Sequence, residues 1–249
     1  MSEKLLLELD NISVSRGEKP ILARISCTLV GAGVTAIMGP GGSGKSTLLH
    51  VIAGTFGENA SVTVSGSMRW SGGALRSEDT HLVSQQTPNM LHPLVEVLAA
   101  ALPNRSELTG VAQRSLIQSR LNAVGAPDLC DALDEPFASL SLSHRRLAGL
   151  LVAFWSDAPV VLVDEPTAGL YEDHAAPVLD LIRAEGTRRR VLFVTHNQLH
   201  ARRVASDVLL IASGRLIEAG DATSFFAAPQ TAEGAQFVRT GGCTVPSLG

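Results

Sequence analysis

Val34-Thr35-Ala36-Ile37-Met38-Gly39-Pro40-Gly41-Gly42-Ser43-Gly44-Lys45-Ser46-Thr47 is the stretch on which the reading of this chain turns. Val34 to Met38 is short, apolar and β-branched at its start, as a buried strand is. Gly39 to Thr47 fits G-x-x-x-x-G-K-[ST]. From Lys45 to Ala53 apolar residues recur at helical spacing, and Gly54 suits a helix stop. Strand, loop and helix in that order give the pattern its meaning, where a bare glycine-rich turn would have none.

The glycines let the loop curl so that successive backbone N–H groups point inward. Together with the positive end of the following helix they form a concave anion site that suits a polyphosphate. Lys45 is placed to reach the β and γ phosphates, the Ser46 hydroxyl to ligate Mg²⁺, and Thr47 to begin the packed helix.

The 249 residues suffice for one large domain or two small ones. A formal net charge of −4 argues against a nucleic-acid partner held by bulk charge. The short runs Arg188-Arg189-Arg190 and Arg202-Arg203 read as solvated faces. Cys27, Cys130 and Cys243 are far apart and in no metal-ligand spacing, which suits a reduced cytosol. The start of the chain shows no signal peptide, and no apolar run approaches the roughly 18 residues of a membrane span. A positive mean hydropathy nevertheless hints at a surface covered by a partner.

Leu5 to Leu9 and Ile12 to Val14 read as a strand broken at Asp10-Asn11, followed by a turn at Arg16 to Pro20. Ile21 to Leu29 follows as a second strand, antiparallel to the first. Ser61 to Trp70 alternates as another strand of the same region, and His81 to Ser84 is a strand end opening into a loop at Gln85. Leu94 to Leu102, Gln113 to Val124 and Leu129 to Leu133 are short amphipathic helices punctuated by proline and glycine, so residues 87–157 read as a helical insertion. No internal repeat is visible.

Pro159 to Pro166 is an apolar run ending in two acids, as a central parallel strand buried on both faces does. Acids at its C-terminal end sit where α/β sheets place ligands. Asp164 suits the Mg²⁺ shell and Glu165 the polarisation of an attacking water. Val191 to Thr195 forms another buried strand ending at His196. That residue either caps the next helix or, near the γ-phosphate, hydrogen-bonds phosphate and holds the water. Val208 to Ile211, Ser213-Gly214 and Leu216-Ile217 close as a hairpin.

In this order the motifs resemble the nucleotide-binding subunit of ATP-binding-cassette (ABC) transporters over nearly the whole chain. Gly39 to Thr47 is similar to the Walker A loop, Gln85 to the Q-loop, Val160 to Glu165 to Walker B with its catalytic glutamate, and His196 to the H-loop. Leu140-Ser141-Leu142-Ser143-His144 lies where that family has its LSGGQ signature. The resemblance implies an α/β fold: a single ABC ATPase domain over residues 1–249, with a RecA-like P-loop NTPase core (1–86 and 158–249), a small antiparallel β region and a helical subdomain (about 87–157). It implies Mg²⁺ and ATP as cofactors, Gln85 as a further Mg²⁺ ligand and catalytic residue, and Ser141 and Ser143 at the nucleotide of a second subunit. The implied partners are transmembrane permease subunits, a second ABC ATPase chain, identical or different, and an extracytoplasmic solute-binding protein. The implied place is the inner face of the cell membrane.

Three motifs depart from the family's pattern. Leu142, Ser143 and His144 replace the two glycines and the glutamine of the signature, which implies slow hydrolysis or hydrolysis at one site only. Arg16 stands where the family has an aromatic that stacks on adenine; its guanidinium plane can stack on a base, or it faces solvent. Tyr171 replaces the usual aspartate of the D-loop, Ala168 to Tyr171. Ser224 to Pro229, Gln236 to Gly241 and Thr195-His196-Asn197 resemble importer cassettes for phosphate-like oxyanions and polar amino acids. The alternatives are a regulatory module with weak hydrolysis and a non-transport ABC ATPase. A P-loop kinase or GTPase fits worse, since the guanine-reading motif is absent.

Overall fold

A computed structural model describes residues 6–56, 61–84, 90–246 and 248. In β1 (Leu6–Arg16) a register shift between Leu9 and Ile12, with Asn11 at φ 53°, keeps Leu7, Leu9, Ile12 and Val14 all buried. The break at Asp10-Asn11 is therefore a bulge within one strand, which restores the period-two pattern after an extra residue. β2 (Lys19–Val30) returns antiparallel to β1 across the turn at Gly17.

β3 (Gly33–Met38) is buried along its whole length and leads through the glycine-rich loop into α1 (Lys45–Ile52). The helix begins at Lys45, where the helical spacing starts in the sequence. β4 (Val62–Trp70) pairs with β1, β5 (Gly73–Ala74) extends that sheet, and β6 (Thr80–Val83) leaves it for another. The helices α2 (Leu94–Ala99), α3 (Gly110–Ala123), α4 (Asp128–Asp131) and α5 (Leu142–Trp155) come next. Their apolar faces close on one another around Leu94, Ile117, Leu133 and Phe137, a core of their own.

The chain then alternates strand and helix: β7 (Val160–Asp164), α6 (Glu172–Gly186), β8 (Arg190–Val194), α7 (Gln198–Val204) and β9 (Asp207–Ala212). β10 (Arg215–Asp221) forms a hairpin with β9, and α8 (Ala222–Ala227) and α9 (Ala232–Thr240) follow. Among the described residues one sheet has six strands in the order β10-β9-β3-β8-β7-β6, and a second has four in the order β2-β1-β4-β5. In the larger sheet every pair is parallel except β9 with β10. Such strands need cover on both faces. The four-stranded sheet and α1 cover one face through Leu7, Ile25, Leu49, Ile37 and Leu209. α5 and α6 cover the other through Leu150, Leu179, Ile182, Val161 and Phe193.

The basic run 188–190 is not a solvated face throughout. Arg190 is 1% exposed; its guanidinium donates to Asp207 Oδ2 (2.7 Å), Thr35 Oγ1 (2.9 Å) and the carbonyls of Val30 (2.6 Å) and Gly31 (3.0 Å). Arg189 donates to the carbonyls of Phe154, Ser156 and Ala158 and pairs with Glu185. Carbonyls left over where strands and helices end need donors, and guanidinium forks supply several from one side chain. Arg188 alone of the three lies mostly in solvent. Arg202 stacks over Phe226 at 4.2 Å, and Arg203 pairs with Asp180 at 3.0 Å.

Candidate active site

β3, β8 and β7 are successive neighbours in the parallel sheet, so whatever follows their C-terminal ends is brought together. Gly39 to Gly44 follows β3, Asp164 ends β7 with Glu165 next after it, and His196 lies two residues past β8.

Gly39 adopts φ 141°, and a Cβ there would strike the Ile211 carbonyl and crowd Ser43 Oγ, so only glycine allows β9 to pack this close to the loop. The loop wraps Lys45, whose ammonium donates to the carbonyls of Gly39 and Pro40, both at 2.9 Å. Burial pulls the Lys45 pKa below the ordinary lysine value, against the opposing pull of the Glu165 and Asp164 carboxylates. Gly42, Ser43, Gly44, Lys45, Ser46 and Thr47 line a concavity of about 180 Å³ over the start of α1. Ser43 Oγ is buried and lacks a hydrogen-bond partner within the described residues. An unmet polar atom beside a lysine and a helix N-terminus fits a cradle for phosphate oxygens.

Asp164 is buried as the last residue of β7, and its Oδ1 likewise has no hydrogen-bond partner among the described residues. Leaving a buried carboxylate oxygen unmet costs a few kcal/mol, on the order of the desolvation penalty. A cation ligated there would offset it. Among the described residues no group of three or more His, Cys, Asp and Glu is placed to hold a metal ion by itself. One carboxylate and one serine hydroxyl are oxygen donors of the kind Mg²⁺ takes when water and substrate phosphate complete its shell.

Glu165 extends the ladder by donating its N–H to the Val194 carbonyl (3.0 Å), then turns into left-handed backbone at φ 47°. For a residue with a Cβ that conformation costs roughly 1–2 kcal/mol. The turn brings its carboxylate to His196, with Nδ1 at 3.0 and 3.1 Å from the two oxygens. Glu165 is 14% exposed at the side chain and His196 73%, so the pair lies at the mouth of the site. His196 does not cap the next helix. Asn197 does, accepting from the N–H groups of Leu199 (2.9 Å) and His200 (3.2 Å).

Sequence reasoning missed His200. It is buried in α7, with Nδ1 3.0 Å from Thr167 Oγ1 and Nε2 3.1 Å from Glu172 Oε1. It thereby braces the loop that follows Glu165 against the helix that follows His196. Its place one helical turn after His196 was the only local signal, and Thr167 and Glu172 reach it through the fold.

Ser141 caps α5, accepting from the His144 N–H at 3.2 Å, and its Oγ lies 3.0 Å from Ser143 Oγ. Neither serine lines the phosphate concavity of its own chain. Leu142 lies against Gly169, and Tyr171 stands 83% exposed at the start of α6. Gln85 lies outside the described residues. Arg16 is exposed at the end of β1 and lines a second cavity, of about 350 Å³, that adjoins the phosphate loop at Ile21 and Gly42.

A family model described as ABC transporter matches residues 22–168. The chain is 30% identical over 243 residues to the phosphate import ATP-binding protein PstB 2 of Mycobacterium tuberculosis, covering 92% of this chain and 86% of the relative. It is 31% identical over 223 residues to the thiamine import ATP-binding protein ThiQ of Mesorhizobium japonicum, covering 89% and 86%. Among solved structures, a bacterial Atm1-family ABC exporter with ATP bound superposes with a TM-score of 0.77 at 17% identity. That match covers 95% of this chain and 42% of the exporter chain, and it speaks for the fold alone.

Proposed function

The chain belongs to the ABC transporter family, and from that premise we propose that it energises solute import, with a phosphate-like oxyanion as the cargo. It binds and hydrolyses ATP to drive transport. The convergence of the phosphate loop, Asp164, Glu165 and His196 at one end of the parallel sheet carries the reading of the site.

Lys45 and the loop N–H groups hold the polyphosphate, with Gly39 to Thr47 wrapped around it. Ser46 and Asp164 would hold Mg²⁺, joined by Gln85; when bound, the ion neutralises charge on the phosphates. Glu165 accepts a proton from the attacking water, and His196 holds that carboxylate in place. Arg16 stacks on the base. Two chains close head to tail, Ser141 and Ser143 of one reaching the nucleotide of the other.

No helix of the described residues is long and apolar enough to cross a membrane. The chain works with separate permease subunits that carry the solute path, a reading supported by its likeness to import ATP-binding proteins. Residues 87–157 form the helical subdomain that docks on them at the inner face of the membrane. A solute-binding protein on the far side delivers the cargo. Similarity to a phosphate importer over nearly the full length favours an oxyanion, while the thiamine relative matches about as well and supplies the competing cargo.

Uptake of labelled phosphate and labelled thiamine, measured in cells with and without this chain, tests the proposal. Loss of phosphate uptake alone is the expected result. Loss of thiamine uptake alone, or of neither, would contradict it.

A further inference from the structure

The 350 Å³ cavity beside the phosphate loop has a wall from a part of the chain that no motif assigns to the nucleotide. Its lining brings Arg16, Ile21 and Gly42 together with Gly214 and Leu248. Ile21 and Gly42 also line the phosphate concavity, so a group joined to phosphates held there extends into this second space.

The floor is a stitched turn. Between β9 and β10, the Gly214 N–H donates to the Ser43 carbonyl (3.1 Å), and the Gly214 carbonyl accepts from the Ala23 N–H (2.8 Å). Gly214 has φ 71°, and a Cβ there would meet the Ile21 carbonyl and lie 2.7 Å from Leu248 Cδ1. Leu248 thus rests directly on a turn bonded to the phosphate loop.

Two further bonds hold the chain after α9, the first to α9 itself and the second to the turn between β9 and β10. The Thr244 N–H donates to Gln236 Oε1 (3.2 Å), and Ser213 Oγ donates to the Val245 carbonyl (3.0 Å). The space remaining with Leu248 in position falls within the roughly 300–1,000 Å³ of small-molecule sites. Leu248 therefore bounds the cavity and does not plug it. A purine ring offers flat faces that accept both a guanidinium plane and an aliphatic contact, and the lining supplies both, through Arg16 on one hand and Ile21 and Leu248 on the other.

We propose that Leu248, anchored through the Ser213–Val245 bond, is an apolar wall of the base site and shares base recognition with Arg16. The proposal rests on the reading of the phosphate loop as the nucleotide site, with the base in the cavity beside it. Leu248, which lies beyond α9, is then part of the nucleotide site.

Affinities of the full chain and its variants for ATP, adenosine and inorganic tripolyphosphate test this. Leu248→Ala should weaken ATP and adenosine by about three- to tenfold, as lost apolar contact does, and change tripolyphosphate less than about twofold. Ser213→Ala should show the same selectivity with a smaller loss, and Leu248→Met should restore both nucleoside probes. Unchanged ATP and adenosine binding in Leu248→Ala would overturn the proposal. So would an equal loss of all three probes, which would place the effect on the phosphate loop. If Arg16→Ala leaves adenosine unchanged while Leu248→Ala weakens it, the Arg16 reading fails and the Leu248 wall stands. A parent chain that binds none of the probes overturns both.

Discussion

Glu165 and His196 meet across the ends of two adjacent parallel strands, His196 Nδ1 lying 3.0 Å from one carboxylate oxygen of Glu165 and 3.1 Å from the other. The left-handed backbone at Glu165 makes that meeting possible. His196→Ala should leave ATP affinity within about twofold and lower the turnover by roughly 10²–10³-fold, since it removes a positioned polar group and no phosphate-loop contact. Equilibrium titration and single-turnover hydrolysis measured side by side check both halves of that statement.

Lys45 has its pKa lowered first by burial, and the nearby carboxylates only partly offset this. A polyphosphate beside the ammonium favours the charged form, so the pKa is higher in the complex than in the free chain. Binding therefore takes up protons between those two values, and affinity is full below the free-chain pKa and falls as pH rises through it. ATP affinity should decline on the alkaline side at a pH below the ordinary lysine value. Lys45→Ala should abolish binding of micromolar to millimolar ATP and remove the alkaline decline with it. Nucleotide titrations across pH decide this, and a parent profile flat up to the ordinary lysine value would refute the account of Lys45.

Asp164 carries a buried oxygen that no hydrogen bond meets among the described residues. Mg²⁺ should therefore tighten ATP binding to the parent chain and have less effect on Asp164→Asn, whose neutral amide brings no negative charge to the cation. Titrations with Mg²⁺ and with a chelator provide the comparison. Equal Mg²⁺ dependence in the two proteins would remove Asp164 from the metal site.

The altered signature makes its own demand. Ser141 Oγ is held by Ser143 Oγ and by the His144 N–H, and Leu142 packs on Gly169, so the start of α5 is bulkier and its hydroxyl already engaged. If one donor to the γ-phosphate is lost, turnover falls about a hundredfold. Leu142→Gly combined with Ser143→Gly should raise steady-state hydrolysis by about tenfold or more. Adding two glycines costs the helix on the order of 1 kcal/mol each, so thermal unfolding is followed in parallel. A folded double variant no faster than its parent would show that the altered signature is no handicap.

The larger part of the fold was legible because its signals are local. A wholly apolar run followed by glycines, or ended by two acids, marks a central strand whatever surrounds it, and β3 and β7 both obey. Those same runs carry Gly39 to Lys45 and Asp164-Glu165, so most of the candidate site could be written down before any coordinates. Arg190 could not be placed this way. Three successive arginines look like a solvated face, and it takes partners far away in sequence, the carbonyls of Val30 and Gly31 with Thr35 and Asp207, to make Arg190 a core residue. His200 and Leu248 escaped for the same reason, since each acts through partners that the topology supplies. The capping of α7 by Asn197, with His196 left free for Glu165, is a finer detail decided by backbone geometry.

The central claim is that this chain hydrolyses ATP through a water activated by Glu165, and phosphate release at saturating Mg-ATP by the parent and by Glu165→Gln tests it most directly. The amide keeps the shape of the carboxylate but cannot take a proton. The account predicts measurable turnover by the parent, and a variant that binds ATP with similar affinity yet hydrolyses it at least about a hundredfold more slowly. A Glu165→Gln protein releasing phosphate at the parental rate would contradict it.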